Sequence, residues 1–157
     1  MRPGDLAAVV ALADRIHPEL PEITAIFAER LALFPDGCLV LAATGRIAGY
    51  AIAHPIFYPH APPLNTFLGS VAADADAFYI HDVAIAPEAR GRGHADAIVK
   101  ALLDIARTFP RSCLISVYGT VPFWQRFGFV DARVDWPLDK LADYGADARF
   151  MVRLTQD

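Results

Sequence analysis

The spacing of apolar positions changes along the chain, and each change marks an expected element. Leu6, Val9, Val10 and Leu12 recur at helical spacing behind Pro3 and Asp5, which predicts a short helix to Ile16 entered through an acidic cap. Ile23, Ile26, Phe27, Leu31 and Leu33 form a broad stripe between Pro21 and Pro35-Asp36-Gly37, so a second helix is expected from Glu22 to Phe34. Cys38 to Thr44 and Ile47 to Pro55 are apolar runs joined by Gly45-Arg46, a hairpin signal. Ala77 to Ala86 is almost wholly apolar and closed by Pro87, as suits a central strand ending at Ile85 or Ala86. Helical spacing returns at Ala95, Ile98, Val99, Leu102, Leu103 and Ala106, followed by a strand from Ser112 to Tyr118. Pro122 to Phe129 predicts a short helix stopped by Gly128, and two strands near Val130 to Val134 and Arg149 to Leu154 complete a mixed sheet.

The stretch from His54 to Asp76 breaks this rhythm. Its prolines at 55, 59, 62 and 63 exclude a regular helix, and the aromatics Phe57, Tyr58 and Phe67 lie among or after them. Long loops in small domains are often functional, so Phe57 and Tyr58 are candidates for a substrate wall. The plainer alternative is a loop whose aromatics patch the sheet edge.

Composition narrows the class. A chain of 157 residues is about one domain long, and residues 1–157 are read as one. Hydrophobic content of 55% with 20% charged residues argues against disorder, and no apolar run reaches the roughly 18 residues that span a bilayer. The first residues lack a basic region followed by an apolar core, so a cytoplasmic location is expected, with no membrane partner. Cys38 and Cys113 lie in apolar runs and are read as structural thiols, and no spacing suggests a metal site. A net charge of −4 without a lysine or arginine run argues against a nucleic-acid partner and fits a cationic amine substrate.

The candidate chemistry begins at Val83 to Asp96, where an apolar strand meets a basic, glycine-rich helix entry. Helix entries carry unpaired N–H groups and about half a positive charge, and a turn without side-chain bulk lets an anionic pyrophosphate approach them. Gly91 and Gly93 supply access, and Arg90 and Arg92 supply charge. A dinucleotide fingerprint is excluded because Asp96 stands at its third glycine, and a Walker loop because no Gly-Lys-Ser/Thr tripeptide occurs.

What remains is Arg90-x-x-Gly93-x-Ala95, which resembles the acetyl-CoA pyrophosphate loop of the GNAT superfamily of N-acetyltransferases. Phe123 to Phe129, with Gly128-Phe129 at its end, is similar to that superfamily's second landmark. Within it, His81 to Ile85 and Val121 to Phe129 resemble the serotonin (arylalkylamine) N-acetyltransferases. The resemblance implies an α/β (α+β) fold with a mixed, mostly antiparallel central sheet and helices on both faces. It implies acetyl-CoA as cosubstrate, no metal, and direct transfer to a primary amine, with a small-molecule acceptor first and a homodimer left open. Peptide or lysine acetylation, and a catalytically silent acyl-CoA sensor, are the alternatives. Two departures matter: the chain begins almost at the first helix, so the usual first strand is expected absent or truncated, and Trp124 stands where many members carry a tyrosine that protonates the departing thiolate. An indole N–H is a donor and not a usable acid.

The resemblance also assigns roles. Backbone groups of Val83, Ala84 and Ile85 would pair with the pantetheine arm in the manner of strand addition, and Arg90, Gly91, Arg92, Gly93, His94, Ala95 and Asp96 would surround the pyrophosphate, His94 pointing outward. An alkylamine is mostly protonated at neutral pH and needs a base, for which His81 has the right chemistry. Tyr118 is the best remaining hydroxyl for the thiolate. Strand alternation puts Asp82 opposite His81 unless a bulge intervenes, and Tyr79 shares the His81 face and is expected to line the pocket.

Overall fold

The computed structural model describes residues 1–43, 45–132, 141 and 143–155. Helices α1 (Leu6–Ile16) and α2 (Thr24–Leu33) precede a hairpin of β1 (Cys38–Ala43) and β2 (Arg46–Ile56). Strand β3 (Ala77–Ile85), helix α3 (His94–Ile105), strand β4 (Arg111–Ser116), helix α4 (Val121–Gln125) and strands β5 (Val130–Asp131) and β6 (Arg149–Leu154) follow. The six strands form one sheet in the order β1-β2-β3-β4-β6-β5, antiparallel except for the central parallel pair β3 and β4. The mixed, mostly antiparallel sheet with helices expected from sequence is what forms.

Every residue of β2 from Gly49 to Ile56 is buried. Successive side chains point to opposite faces, so both faces of the sheet are covered there. Phe27 of α2 packs edge-on to Tyr50 of β2, and the buried Val9 and Leu12 of α1 join Val99 and Leu102 of α3 in the core around these strands. Among the described residues no strand precedes α1; the Met1 amino group donates to the Cys38 carbonyl at 2.8 Å. Both cysteines are buried and free, with burial pushing Cys38 up to about 11 and Cys113 up to about 12, as befits structural thiols.

Close backbone approach explains one glycine. A Cβ on Gly37 would lie 2.0 Å from the Ala53 carbonyl oxygen and 2.8 Å from Phe34, so Gly37→Ala forces β1 and β2 apart. We expect a loss of about 1–3 kcal/mol, typical of overpacking, read as a lower midpoint in urea unfolding.

Three boundaries differ from the sequence expectation or cannot be compared with it. Helix α2 starts at Thr24 instead of Glu22, leaving Glu22 in the connection, where its carboxylate accepts the Asn65 N–H at 2.9 Å. Strand β4 ends at Ser116 instead of Tyr118, because Tyr118 and Gly119 turn the chain at φ of 54° and 69°. The strand expected to run to Val134 is seen as Val130–Asp131, and positions 133 and 134 lie outside the described residues.

The proline-rich loop is tied to α2. Asn65 accepts the Ile23 N–H, Glu29 accepts the Leu68 and Gly69 N–H groups, and the buried Arg30 donates to the Thr66 carbonyl. Glu29 also pairs with Arg30. The loop is therefore an ordered wall beside β3.

Candidate active site

Strands β3 and β4 pair only from Phe78–Ser112 to Ile80–Leu114 and then diverge. The divergence coincides with a bulge. On the other side of β3, Ile52 of β2 pairs with Asp82 while Ala53 pairs with Ile80, so His81 is the extra residue. The result is a cleft of about 570 Å³, walled by Ile80 to Ile85 on one side and by Leu114, Ile115, Val117, Tyr118, Thr120, Phe123 and Trp124 on the other. Val83, Ala84 and Ile85 keep β2 as their partner, and among the described residues no strand pairs with their opposite edge.

Ile85, Arg90, Ala95 and Phe123 continue the cleft into a hollow of about 350 Å³ at the start of α3. Gly91, Gly93, His94 and Asp96 complete it. Gly93 caps α3 at φ 76° and Gly91 has φ 74°, and a Cβ at either would meet nothing within 4 Å. These glycines are required by backbone conformation and leave open space, which is what an entering anion needs. Arg90 Nε donates to the Ile85 carbonyl at 3.1 Å, and Arg126 donates to Asp96 at 2.6 Å. Arg92 does not line this hollow; it lies in an adjoining one with Arg15, Arg46 and Glu88, which His94 shares.

The bulge overturns the alternation argument for Asp82. Asp82 and His81 both line the cleft, and both line a second, compact cavity of about 50 Å³. Each carries an acid–imidazole pair. His81 Nε2 lies 2.7 Å from Glu22 Oε2, and His17 Nε2 lies 3.1 Å from Asp82 Oδ1. Burial raises the Glu22 carboxyl, but the hydrogen bond and charge of His81 outweigh it and leave it below the ordinary range. Asp82 also ends low: burial is opposed by the His17 imidazole 3.1 Å away, and the Tyr50 hydroxyl donates to it. Burial, reinforced by Asp82, drives the Tyr50 phenol far up, so it stays a donor.

His17 and Glu22 carry no motif, and sequence reasoning missed them. The available signal was their place in the short connection between the first two helices, since connections beside a rigid sheet are where function concentrates.

The other expected site residues fall as follows. Tyr79 is buried, lines the compact cavity, and lies 5.5 Å from the His54 ring and 5.9 Å from the His81 ring, centre to centre. Tyr118 lines the cleft and stacks on His17 at 5.7 Å and 8°, with burial raising its phenol. Trp124 is buried edge-on against Phe123 and Phe129 in the cleft wall. Phe57 and Tyr58 line neither the cleft nor the compact cavity. Tyr58 packs on Phe150 with the Arg111 guanidinium 4.8 Å above its ring, and Phe57 is 47% exposed, because the loop carries them past β3. The loop residue that does reach the compact cavity is Leu64.

His54 supports this region from beneath. Burial, then the charge of His81, pushes it down to about 3, so the folded protein holds it neutral. An unfolded histidine titrates near 6.5, so below that pH the unfolded chain binds a proton the folded one refuses. Stability should fall by about 1.4 kcal/mol per pH unit below 6.5, before the carboxylates contribute below about pH 4. Urea unfolding from pH 6.5 to 4.5 checks this, and His54→Gln should flatten the slope.

The splayed parallel pair, the free edge of Val83 to Ile85 and the open helix entry thus lie along one continuous cleft. The Acetyltransferase (GNAT) family description matches residues 7–129, and the chain belongs to that family. The enzyme class expected from the resemblance, an acetyltransferase, is thereby borne out. Solved structures of the same fold include Ard1 from Thermoplasma volcanium, at 18% identity over 100% of this chain and 95% of that one, with a TM-score of 0.75. The Rv2747 protein from Mycobacterium tuberculosis, in complex with CoA, is 18% identical over 98% of this chain and 95% of that one, TM-score 0.69. The ribosomal-protein-S18-alanine N-acetyltransferase from Escherichia coli is 19% identical over 100% of this chain and 92% of that one, TM-score 0.67. No curated protein matches the chain. Among the described residues no group of histidine, cysteine, aspartate and glutamate side chains is placed to hold a metal ion, and no helix is long and apolar enough to cross a membrane.

Proposed function

We propose that the protein transfers the acetyl group of acetyl-CoA to the primary amine of a small molecule, by direct attack within a ternary complex. The observation that carries this reading is the continuity of three spaces. The hollow at the α3 start opens into the β3–β4 cleft, and the cleft shares His17, His81 and Asp82 with the compact cavity.

In this reading the open edge of Val83, Ala84 and Ile85 receives the pantetheine amides as an added strand would. The N–H groups from Gly91 to Asp96 receive the pyrophosphate, with Arg90 at its flank. The acceptor enters from the compact cavity, whose Leu20, Leu64 and Ile115 suit a small apolar body and whose carboxylates attract a cation. His81 takes the amine proton: Glu22 holds Nε2–H, which leaves the Nδ1 lone pair free, and Nδ1 is buried with no hydrogen-bond partner among the described residues. The cavity's small volume favours a small acceptor over a peptide, and the arylalkylamine-like motifs make aromatic amines one arm of a test.

Thiol release from acetyl-CoA across a panel of aliphatic, aromatic and amino-acid amines, with product mass spectrometry, is the direct check. Turnover with a small amine is expected. Acetylation confined to peptide N-termini or lysines would move the acceptor class, and CoA binding without turnover on any amine would make the protein an acyl-CoA sensor.

A further inference from the structure

Amine attack leaves a thiolate, and the cleft must hold a proton for it. Trp124 has no acid to offer, being an indole packed edge-on in the wall. Tyr118 has a hydroxyl, but burial raises it above its ordinary value near 10. A thiol holds its proton with a pKa of about 8.5, so transfer from that phenol runs uphill.

We propose that His17 is the general acid of this reaction, delivering a proton from its imidazolium to the sulfur that leaves. The proposal rests on the acetyl-transfer reading above. His17 follows the last residue of α1 and lines both the cleft and the compact cavity, so it stands where the two substrates meet. Its Nε2 is 3.1 Å from Asp82 Oδ1, and the Tyr50 hydroxyl donates to Asp82 Oδ2, so the carboxylate that fixes the ring is itself fixed. The Tyr118 ring covers one face of the imidazole. Both ring nitrogens are buried and neither makes a hydrogen bond among the described residues: Nε2 is held by the charge of Asp82, and Nδ1 has no protein partner.

The surroundings favour the charged ring. Burial pulls His17 down, but the Asp82 carboxylate 3.1 Å away, with the charge of Glu22, outweighs burial and the charge of Arg90, and its pKa ends above 6.5. The other titratable groups at this junction are His81 and Tyr118 in the cleft and Tyr79 and Tyr144 in the compact cavity. Two imidazoles on separate carboxylates thus divide the work of acid and base. The bound ammonium first loses one proton to His81, which passes it to solvent; the neutral amine nitrogen then bonds to the acetyl carbon and gives the proton it sheds on bonding to His81. The carbon–sulfur bond breaks, its electron pair stays on sulfur, and sulfur takes the proton of His17 Nδ1. Solvent then removes the proton from His81 and returns one to His17.

The test is the pH dependence of kcat with acetyl-CoA and the best small amine, measured for the wild type and the variants His17→Gln, Tyr118→Phe and Asp82→Asn. An acid must be protonated, so wild-type kcat should fall as pH rises through the His17 pKa. His17→Gln should lower kcat by about 10²-fold or more and abolish that alkaline limb. Asp82→Asn removes the group that raises His17, so the limb should move to lower pH. Tyr118→Phe keeps the ring stacked and should keep the limb in place. A limb that survives His17→Gln and disappears in Tyr118→Phe overturns the assignment while leaving acetyl transfer intact. A wild type that binds acetyl-CoA and acetylates no amine removes the proposed function and this assignment together.

Discussion

Gly93→Leu should lose at least about a hundredfold in acetyl-CoA affinity, since phosphate contacts to N–H groups are charge-assisted bonds of about 1.5–3 kcal/mol and bulk at this position displaces two or more of them. The fold should persist. A Cβ at Gly93 meets nothing within 4 Å, so packing is untouched, and the cost is the left-handed backbone at φ 76°. That conformation costs about 1–2 kcal/mol for a residue with a Cβ, or a fall of roughly 2–8 °C in Tm for a domain of this size. Calorimetric titration with acetyl-CoA beside a thermal melt separates the two effects. Unchanged affinity in a folded variant would remove the helix entry from the cofactor path.

The second large effect is expected at His81. His81→Gln should lower kcat by about 10²–10⁴-fold, the usual contribution of a positioned base, while the Kd for acetyl-CoA stays within about twofold. Glutamine has no titrating group and can still bond to Glu22, so the wild-type fall in kcat toward acid pH should flatten in the variant. A purely structural histidine would lower stability and yield without changing the shape of that profile. Full kcat in a stable His81→Gln protein would reassign the base.

Some of this site could be read directly from residues. The strand to Ile85, the glycine turn and the start of α3 were legible because each depends on local chemistry: an apolar run, residues that adopt positive φ, and an amphipathic stripe. The mixed, mostly antiparallel character of the sheet followed from resemblance and not from periodicity, and the strand order came from the structure. Glu22 and His17 were not legible, because 59 residues separate Glu22 from His81 and 65 (82 less 17) separate His17 from Asp82, and only the packing of α1 and α2 on β2 and β3 closes those intervals. The bulge at His81 was invisible as well. One unpaired residue in β3 leaves no trace in composition, yet it turns His81 and Asp82 from opposite faces into neighbours. Phe57 and Tyr58 line neither the cleft nor the compact cavity, because aromatic content says nothing of direction. Asn65, Glu29 and Arg30 fix where the loop runs, and they bring Leu64 to the cavity instead.

In the proposed function one continuous channel, from the α3 entry through the β3–β4 cleft to the junction of His17 and His81, holds the acetyl donor. A crystal structure with acetyl-CoA tests it most directly. Pantetheine amides are expected hydrogen-bonded to the backbone of Val83 to Ile85, the pyrophosphate on the N–H groups from Gly91 to Asp96, and the acetyl carbon facing His81. A donor bound elsewhere, or one whose acetyl group points away from both imidazoles, would contradict it.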